Sequence, residues 1–383
     1  MDYKRIIVFT GGGLAPALNA TLAGVIDAAR ESGITVLGGL RGWASLLDNG
    51  KIVDISSVDT ELIQKIGGTF LRSSRTNIFK VENGIEQVKL KIKEHQIDVI
   101  FAIGGNDTLG EACELFKKEG IPVIGIPKTI DNDLSETYWT PGYPSAAIQM
   151  AQIVKEIRED AAYTLSRIFV IEALGMHAGW LALAGACGGA DVIIPPEKQV
   201  SLSEVVRLTG ERYEENGNFA CVVVSQEARF DEPLNARDDD QTDHFGTVRR
   251  EYVCLALRDR LKKDLGVYAK AIYPGNFLES GHPIDIDRVI AYKLGIKSIE
   301  LLKEEKFGFM PSVVRNGAVV EVGECKLENV IGEGNYRFVP DNFFDWKQMR
   351  ATDEFMDYMK PVLGAYPWMK DDAYYQLIKT INS

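Results

Sequence analysis

The chain has 383 residues, 45% of them apolar and 26% charged, which is the make-up of an ordinary globular protein with room for two or three domains. Its net charge of −12 argues against general nucleic-acid binding, and any anionic ligand must be gathered by a local basic site against the field of the whole molecule. No run approaches ~18 apolar residues, so no membrane-spanning helix is expected.

The stretch Ile6–Phe9 is too short for the core of a signal peptide, and the five cysteines (Cys113, Cys187, Cys221, Cys254, Cys325) show neither zinc spacing nor an even disulfide framework. A cytoplasmic location is expected. In chain order, Arg5–Phe9 reads as a strand and Thr10–Ala17 as a Gly-rich turn. Asn19 is a candidate cap for a helix through Ala29, because its side chain can accept from a free N–H. Thr35–Leu37 is the next strand. Gly84–His95 carries Ile85, Val88 and Ile92 on one face, which is helical spacing. Val99–Ile103 and Val123–Ile126 are buried strands flanking a helix over Thr108–Lys118. Tyr143–Asp160 has a stripe of Ala147, Met150, Val154 and Ile157 and is helical. Arg167–Ile171 is a strand followed by a helix from about His177. Val192–Ile194, Ala220–Val224 and Ala271–Tyr273 are further strands, and Asp285–Leu302 is a long helix. Such alternation predicts an α/β fold with parallel sheets covered by helices on both faces. Phe230–Gly246, with Asp238-Asp239-Asp240, reads as a surface loop. The aromatic tail from about Gly332 is either a cap or a subunit contact.

Two segments carry chemistry. Gly104-Gly105-Asn106-Asp107-Thr108 and Pro127-Lys128-Thr129-Ile130-Asp131-Asn132-Asp133 each follow a buried strand. Both should surface at the carboxyl edge of one parallel sheet, where open α/β folds bind ligands. Together they offer glycines, acids, an ammonium and a hydroxyl, equipment for polyphosphate, metal and proton transfer. A carboxylate there can act as base toward an acceptor hydroxyl, and Lys128 can neutralise charge on a moving phosphoryl. Thr10-Gly11-Gly12-Gly13 also joins strand to helix, and its glycines suit either a phosphate or a tight turn. Gly67–Arg75 adds Arg72 and Arg75 after a glycine pair, as a phosphoryl-stabilising arginine or as a solvated basic loop. His177, in the Glu172–Trp180 turn, is more in keeping with a structural role.

These segments, in order and spacing, resemble the phosphofructokinase family, and in particular its pyrophosphate-dependent branch, from about Arg5 to Gly295. The resemblance implies two Rossmann-like domains with the active site in the cleft between them, Mg2+ as cofactor, and a homodimer or homotetramer in which a neighbouring subunit helps bind the acceptor. By it, residues 1–140 form a donor-binding domain completed by a later segment, residues 141–300 an acceptor-binding domain, and residues 301–383 an extension without an assigned role. Asp131 becomes the base, with Thr129 and Asp133 in the same motif. Arg75 stabilises the phosphoryl group, and Gly12 and Gly13 form the donor loop. Asp107 and Lys128 stand where ATP-using members have glycines, the mark of pyrophosphate as donor.

On the acceptor side the resemblance points to Arg167, Leu174, Gly175, Met176, Glu227, Lys270, Asn276, Glu279 and Arg288. Here the chain departs from the family. Met176 and Glu279 stand where arginines are usual, Asn276 where a histidine is, and Asn106 where the metal-binding Asp is, so that Asn106 and Asp107 become the expected metal ligands. A carboxylate at 279 beside a phosphate dianion would be repulsive. The acceptor is therefore a sugar, a sugar phosphate (fructose 6-phosphate by family default) or a polyol. An unphosphorylated or differently charged acceptor is one alternative; a metabolite-binding regulator without catalysis and an ATP-using kinase are two others.

Overall fold

The computed structural model describes residues 3–234, 252–317, 319–332, 336–364, 377, 380 and 381. In chain order the first strands are β1 (Arg5–Thr10), β2 (Thr35–Gly39), β3 (Ile52–Asp54), β4 (Val99–Gly104) and β5 (Val123–Pro127). Then come β6 (Ile168–Ala173), β7 (Val192–Ile194), β8 (Ala220–Ser225) and β9 (Ala269–Ile272). The long hairpin strands are β10 (Phe309–Asn316) and β11 (Val319–Lys326), followed by the short β12 (Phe344–Asp345) and β13 (Arg350–Ala351).

The chain divides into two units, residues 1–145 with 279–336 and residues 146–278 with 337–383. The first holds a sheet of order β11-β10-β5-β4-β1-β2-β3. Its strands from β10 to β2 run parallel, while β3 and β11 are antiparallel edges. Central parallel strands are covered on both faces, so they are apolar throughout rather than alternating; Ile6, Ile7, Val8 and Phe9 of β1 are all fully buried. The second unit holds a parallel sheet of order β7-β8-β6-β9.

Helices Leu18–Glu31 and Asp285–Lys303 pack closely in the first unit. A β-carbon on Gly24 would lie 2.0 Å from the Tyr292 carbonyl oxygen, and one on Gly295 would lie 2.3 Å from that of Thr21, so both glycines are needed for the approach. This contact draws residues 279–303 into the first unit, whereas the sequence reading grouped 279–300 with the second.

Several local expectations are corrected. Asn19 lies inside the helix that starts at Leu18 and does not cap it. Its side chain instead donates to Ile66 O at 3.1 Å and accepts from Phe70 N at 3.0 Å, fastening the 66–70 turn. The helix after β6 begins at Trp180, and the helix from Tyr143 passes into a π-helical turn at Ile157–Ala162. Helices Leu202–Glu215, Val253–Leu265 and Asp353–Leu363, and the β10–β11 hairpin, were not anticipated. Of the expected loop Phe230–Gly246, residues 235–246 lie outside the described residues; Phe230 bridges to Val200.

Candidate active site

In the first sheet β1 leads outward to β2, while β4 and β5 lie on the other side of β1. Strand order therefore reverses between β1 and β4, and the crevice at their carboxyl ends is the ligand position of an open α/β sheet. The turns after β1, β4 and β5 all open there. Gly11 N donates to Ile103 O at 2.8 Å and Lys128 N to Gly104 O at 2.9 Å, so the three turns are tied edge to edge.

The glycine loop is shaped by its neighbours. Gly12 has φ +81°, a left-handed conformation that disfavours other residues. Its N–H donates to Ser74 O at 3.0 Å, while Ser73 Oγ donates to Gly12 O at 2.7 Å. Thr10 Oγ1 meets Thr69 Oγ1 at 3.0 Å and donates to Arg72 O at 3.0 Å. The Gly67–Arg75 segment is thus laced onto the glycine loop, which brings Arg75 close enough to Lys128 to oppose its charge.

Lys128 is 2% exposed. Its Nζ donates to Gly13 O at 2.7 Å and stands 3.5 Å from where a β-carbon on Gly12 would be. Burial pushes its pKa down to about 8, against the opposing pull of Glu279, Asp131 and Asp133. In the next turn, Asp131 N donates to Thr129 Oγ1 at 3.1 Å. Asn132, at φ +54° and fully buried, accepts from Thr140 N at 3.2 Å, and Thr140 Oγ1 donates to Thr129 O at 2.8 Å. These bonds fix the turn that presents Asp131.

Asn106 and Asp107 open the helix Asn106–Glu119. Asn106 Nδ2 donates to Asp133 Oδ2 at 3.0 Å. Asp133 Oδ1 is buried and has no hydrogen-bond partner among the described residues. Burial first, then the Asp131 charge, holds the Asp133 carboxyl well above the usual carboxylate range. Tyr336 was missed by the sequence reading. It bridges to Leu134, and its phenol is raised by burial and then by Asp107 and Asp133. Only the aromatic richness of the tail hinted at it, without saying where the tail lies.

The first unit thus gathers Gly12, Gly13, Arg75, Asn106, Asp107, Lys128, Thr129, Asp131 and Asp133. Glu279, expected on the acceptor side, lies here too, with one carboxylate oxygen 3.4 Å from where a β-carbon on Gly13 would be. Arg288 is also in this unit but pairs with Gln64 (3.1 Å) and Asp285 (3.1 Å). Its neighbour Asp287 is buried and accepts from Gly142 N and the Ser145 hydroxyl.

In the second unit, Leu174, Gly175 and Met176 follow β6, Glu227 follows β8 and Asn276 follows β9, all at that sheet's carboxyl edge. Ser225 Oγ donates to Gly175 O at 3.3 Å, which joins the first two turns. Arg167 precedes β6 at the opposite edge, a strand length of roughly 20 Å away. Its guanidinium lies 4.5 Å from the Tyr268 ring centroid. Lys270 is exposed within β9, opposite Phe169. Arg167 and Lys270 are therefore not gathered with the other acceptor-side residues of this unit.

A phosphofructokinase family model matches residues 5–302. The chain belongs to the phosphofructokinase family. It is 36% identical over 335 residues, 86% of its length and 96% of the relative's, to pyrophosphate–fructose 6-phosphate 1-phosphotransferase of Dictyoglomus thermophilum. It is 31% identical over 309 residues, 80% of its length and 89% of the relative's, to an ATP-dependent 6-phosphofructokinase of Corynebacterium efficiens. Its fold matches the crystal structure of a pyrophosphate-dependent phosphofructokinase from Nitrosospira multiformis, with a TM-score of 0.82 over 97% of this chain and 94% of that one at 24% identity. Phosphofructokinase relatives of both donor types thus stand at similar distances, and donor choice must be argued from the residues at the glycine loop.

Proposed function

We propose that this phosphofructokinase transfers a phosphoryl group from pyrophosphate to a hydroxyl of fructose 6-phosphate. The observation that carries the reading is Lys128, whose buried ammonium is bonded to Gly13 O and so fills the crevice beside the donor loop. A compact donor can use that ammonium as a counter-charge, whereas a nucleotide needs the space it occupies. Asp107, in the first turn of its helix, adds a negative charge that repels an α-phosphate. The relative with the highest identity among those named above carries the same donor and acceptor in its name.

Asp131 takes the proton of the acceptor hydroxyl as the hydroxyl oxygen bonds to the transferred phosphorus, and the bridging P–O bond of pyrophosphate breaks to release inorganic phosphate. Thr129 Oγ1 already accepts from Asp131 N, which leaves its own proton to donate to a donor oxygen. Lys128 and Arg75 offset negative charge on the leaving phosphate and the transferred group. Asp107, Asp133 and the Asn106 amide are hard oxygen donors suited to Mg2+, and the unpartnered Asp133 Oδ1 fits a cation ligand. Among the described residues there is no group of three or more His, Cys, Asp or Glu that would hold a metal alone. An ion there would be held by one or two carboxylates and the donor phosphates, whose charge it would neutralise.

The acceptor falls to the carboxyl edge of the second sheet, with Leu174, Gly175, Met176, Glu227 and Asn276. Arg167 and Lys270, away from that edge, are assigned to an acceptor bound by a second copy in a homodimer or homotetramer. The position of Glu279 beside Lys128 weakens the argument that it would repel a 6-phosphate, which favours fructose 6-phosphate over a polyol. The reading implies a cytoplasmic enzyme. Initial rates with pyrophosphate and with ATP, each with Mg2+ and fructose 6-phosphate, test it. Pyrophosphate is expected to exceed ATP at least tenfold in kcat/KM; equal use of ATP would refute the role given to Asp107 and Lys128.

A further inference from the structure

A buried ammonium needs an anion close by. The charged groups that face Lys128 are Glu279, Asp131, Asp133 and Arg75, and Glu279 contributes the largest favourable part. Glu279 ends the 3-10 turn Gly275–Glu279 and is the first residue of the returning segment of the first unit. Its carboxylate lies against Gly13, and Lys128 Nζ is bonded to the carbonyl of the same glycine. The loop that would receive a phosphate therefore already has an internal anion and its cation against it.

We propose that Glu279 is a donor-side residue, an internal anion at the Lys128 end of the pyrophosphate site that incoming pyrophosphate displaces, so that it sets donor affinity. The inference rests on the pyrophosphate reading above. A carboxylate and a phosphate a few ångströms apart in a crevice that water screens poorly repel each other, and one ammonium cannot serve both. Pyrophosphate, with more charge and more acceptor oxygens, takes Lys128 over. The cost of moving Glu279 aside then appears as weaker donor binding.

The test is a calorimetric titration of magnesium pyrophosphate onto the full chain, together with KM values for pyrophosphate and fructose 6-phosphate. Glu279→Gln is expected to bind pyrophosphate about tenfold more tightly, a gain of about 1.4 kcal/mol. Its KM for fructose 6-phosphate should stay within about twofold of the unmodified chain's. Glu279→Ala, which also deletes the charge, must show the same gain, and it serves if the glutamine variant misfolds. Glu279→Asp keeps the charge and should leave affinity within about threefold. Unchanged or weaker pyrophosphate binding in both neutral variants overturns the proposal. A lower acceptor KM with an unchanged donor constant overturns it in favour of an acceptor-side role. An unmodified chain that neither binds nor uses pyrophosphate refutes the functional reading, and this inference with it. Normal pyrophosphate use with inert Glu279 variants refutes only the inference.

Discussion

Four charged side chains are almost equally withdrawn from water: Arg158 at 3% and Asp191 at 2% exposure in the second unit, Lys128 at 2% and Asp133 at 4% in the first. Their surroundings differ. Arg158 meets Asp191 with two bonds, Nε to Oδ2 at 3.2 Å and Nη2 to Oδ1 at 3.1 Å. Asn216 Nδ2 and Cys221 N donate to the same carboxylate at 3.0 and 2.8 Å, and the guanidinium lies 5.0 Å from the Phe219 ring centroid. The Arg158–Asp191 pair is closed. Asp133, by contrast, has one oxygen bonded to Asn106 and one without a partner among the described residues, with a like charge nearby. Lys128 donates to the neutral Gly13 carbonyl, with Glu279, Asp131 and Asp133 acting on it as nearby charges. Equal burial thus accompanies a completed structural ion pair in one place and an incomplete constellation in the other, and incompleteness marks a place where a ligand is meant to finish the bonding.

That contrast can be broken by substitution. The largest effect is expected at Asp131. Asp131→Asn should lower kcat by roughly two to four powers of ten, leave the pyrophosphate KM within a few-fold, and scarcely move Tm. Retention of most activity would take Asp131 out of the mechanism. The opposite pattern is expected at Asp191. Asp191→Asn removes the carboxylate charge that faces the buried Arg158 guanidinium and should cost about 3–5 kcal/mol in unfolding free energy, read by urea denaturation, with kcat of the folded fraction unchanged. A stable variant would show that water or another group rescues Arg158.

Glu111 lies between the two cases and gives the smallest effect. It is 6% exposed and accepts from Ile78 N at 3.0 Å, and burial pushes its pKa up to about 8. Between its ordinary value and that one, the folded chain holds a proton that the unfolded chain has lost. Stability is therefore full at lower pH and falls as pH rises through this window. Glu111→Gln keeps an acceptor for Ile78 and should remove the fall, gaining roughly 1–3 kcal/mol at pH 8 and little at pH 5. Parallel thermal melts of the two proteins from pH 5 to 8 would refute this.

The turns that gather these side chains were legible because each strand there ends abruptly. Phe9-Thr10-Gly11, Ile103-Gly104-Gly105 and Ile126-Pro127-Lys128 change from continuous apolar residues to turn chemistry within a step or two. What depends on the third dimension was not legible. Asn19 has the chemistry of a cap, but its partners sit at Ile66 and Phe70, and no local signal points there. Glu279 aligned with an acceptor residue by position in a motif, whereas the packing of Gly24 against Gly295 brings its segment to the first sheet. The hairpin β10–β11 was obscured by Pro311 and by the half-exposed, mixed sequence of β11. The aromatic tail divides: Tyr336 stays with the first unit, while Phe343 and Tyr358 pack on buried Trp180, with Arg337 4.3 Å from its ring centroid. Leu202, Val205, Leu208 and Thr209 do have helical spacing and could have revealed their helix.

The return of residues 279–336 to the first unit has a consequence for synthesis on the ribosome. β5 takes β10 as its outer partner, and β10 begins only at Phe309. Until that residue has emerged, the nascent first sheet carries a bare edge at β5, of the kind that invites pairing with another chain. Shielding that edge during translation falls to chaperones or to the speed of elongation, so a stop or pause between Pro127 and Phe309 should yield aggregation rather than a soluble half-protein.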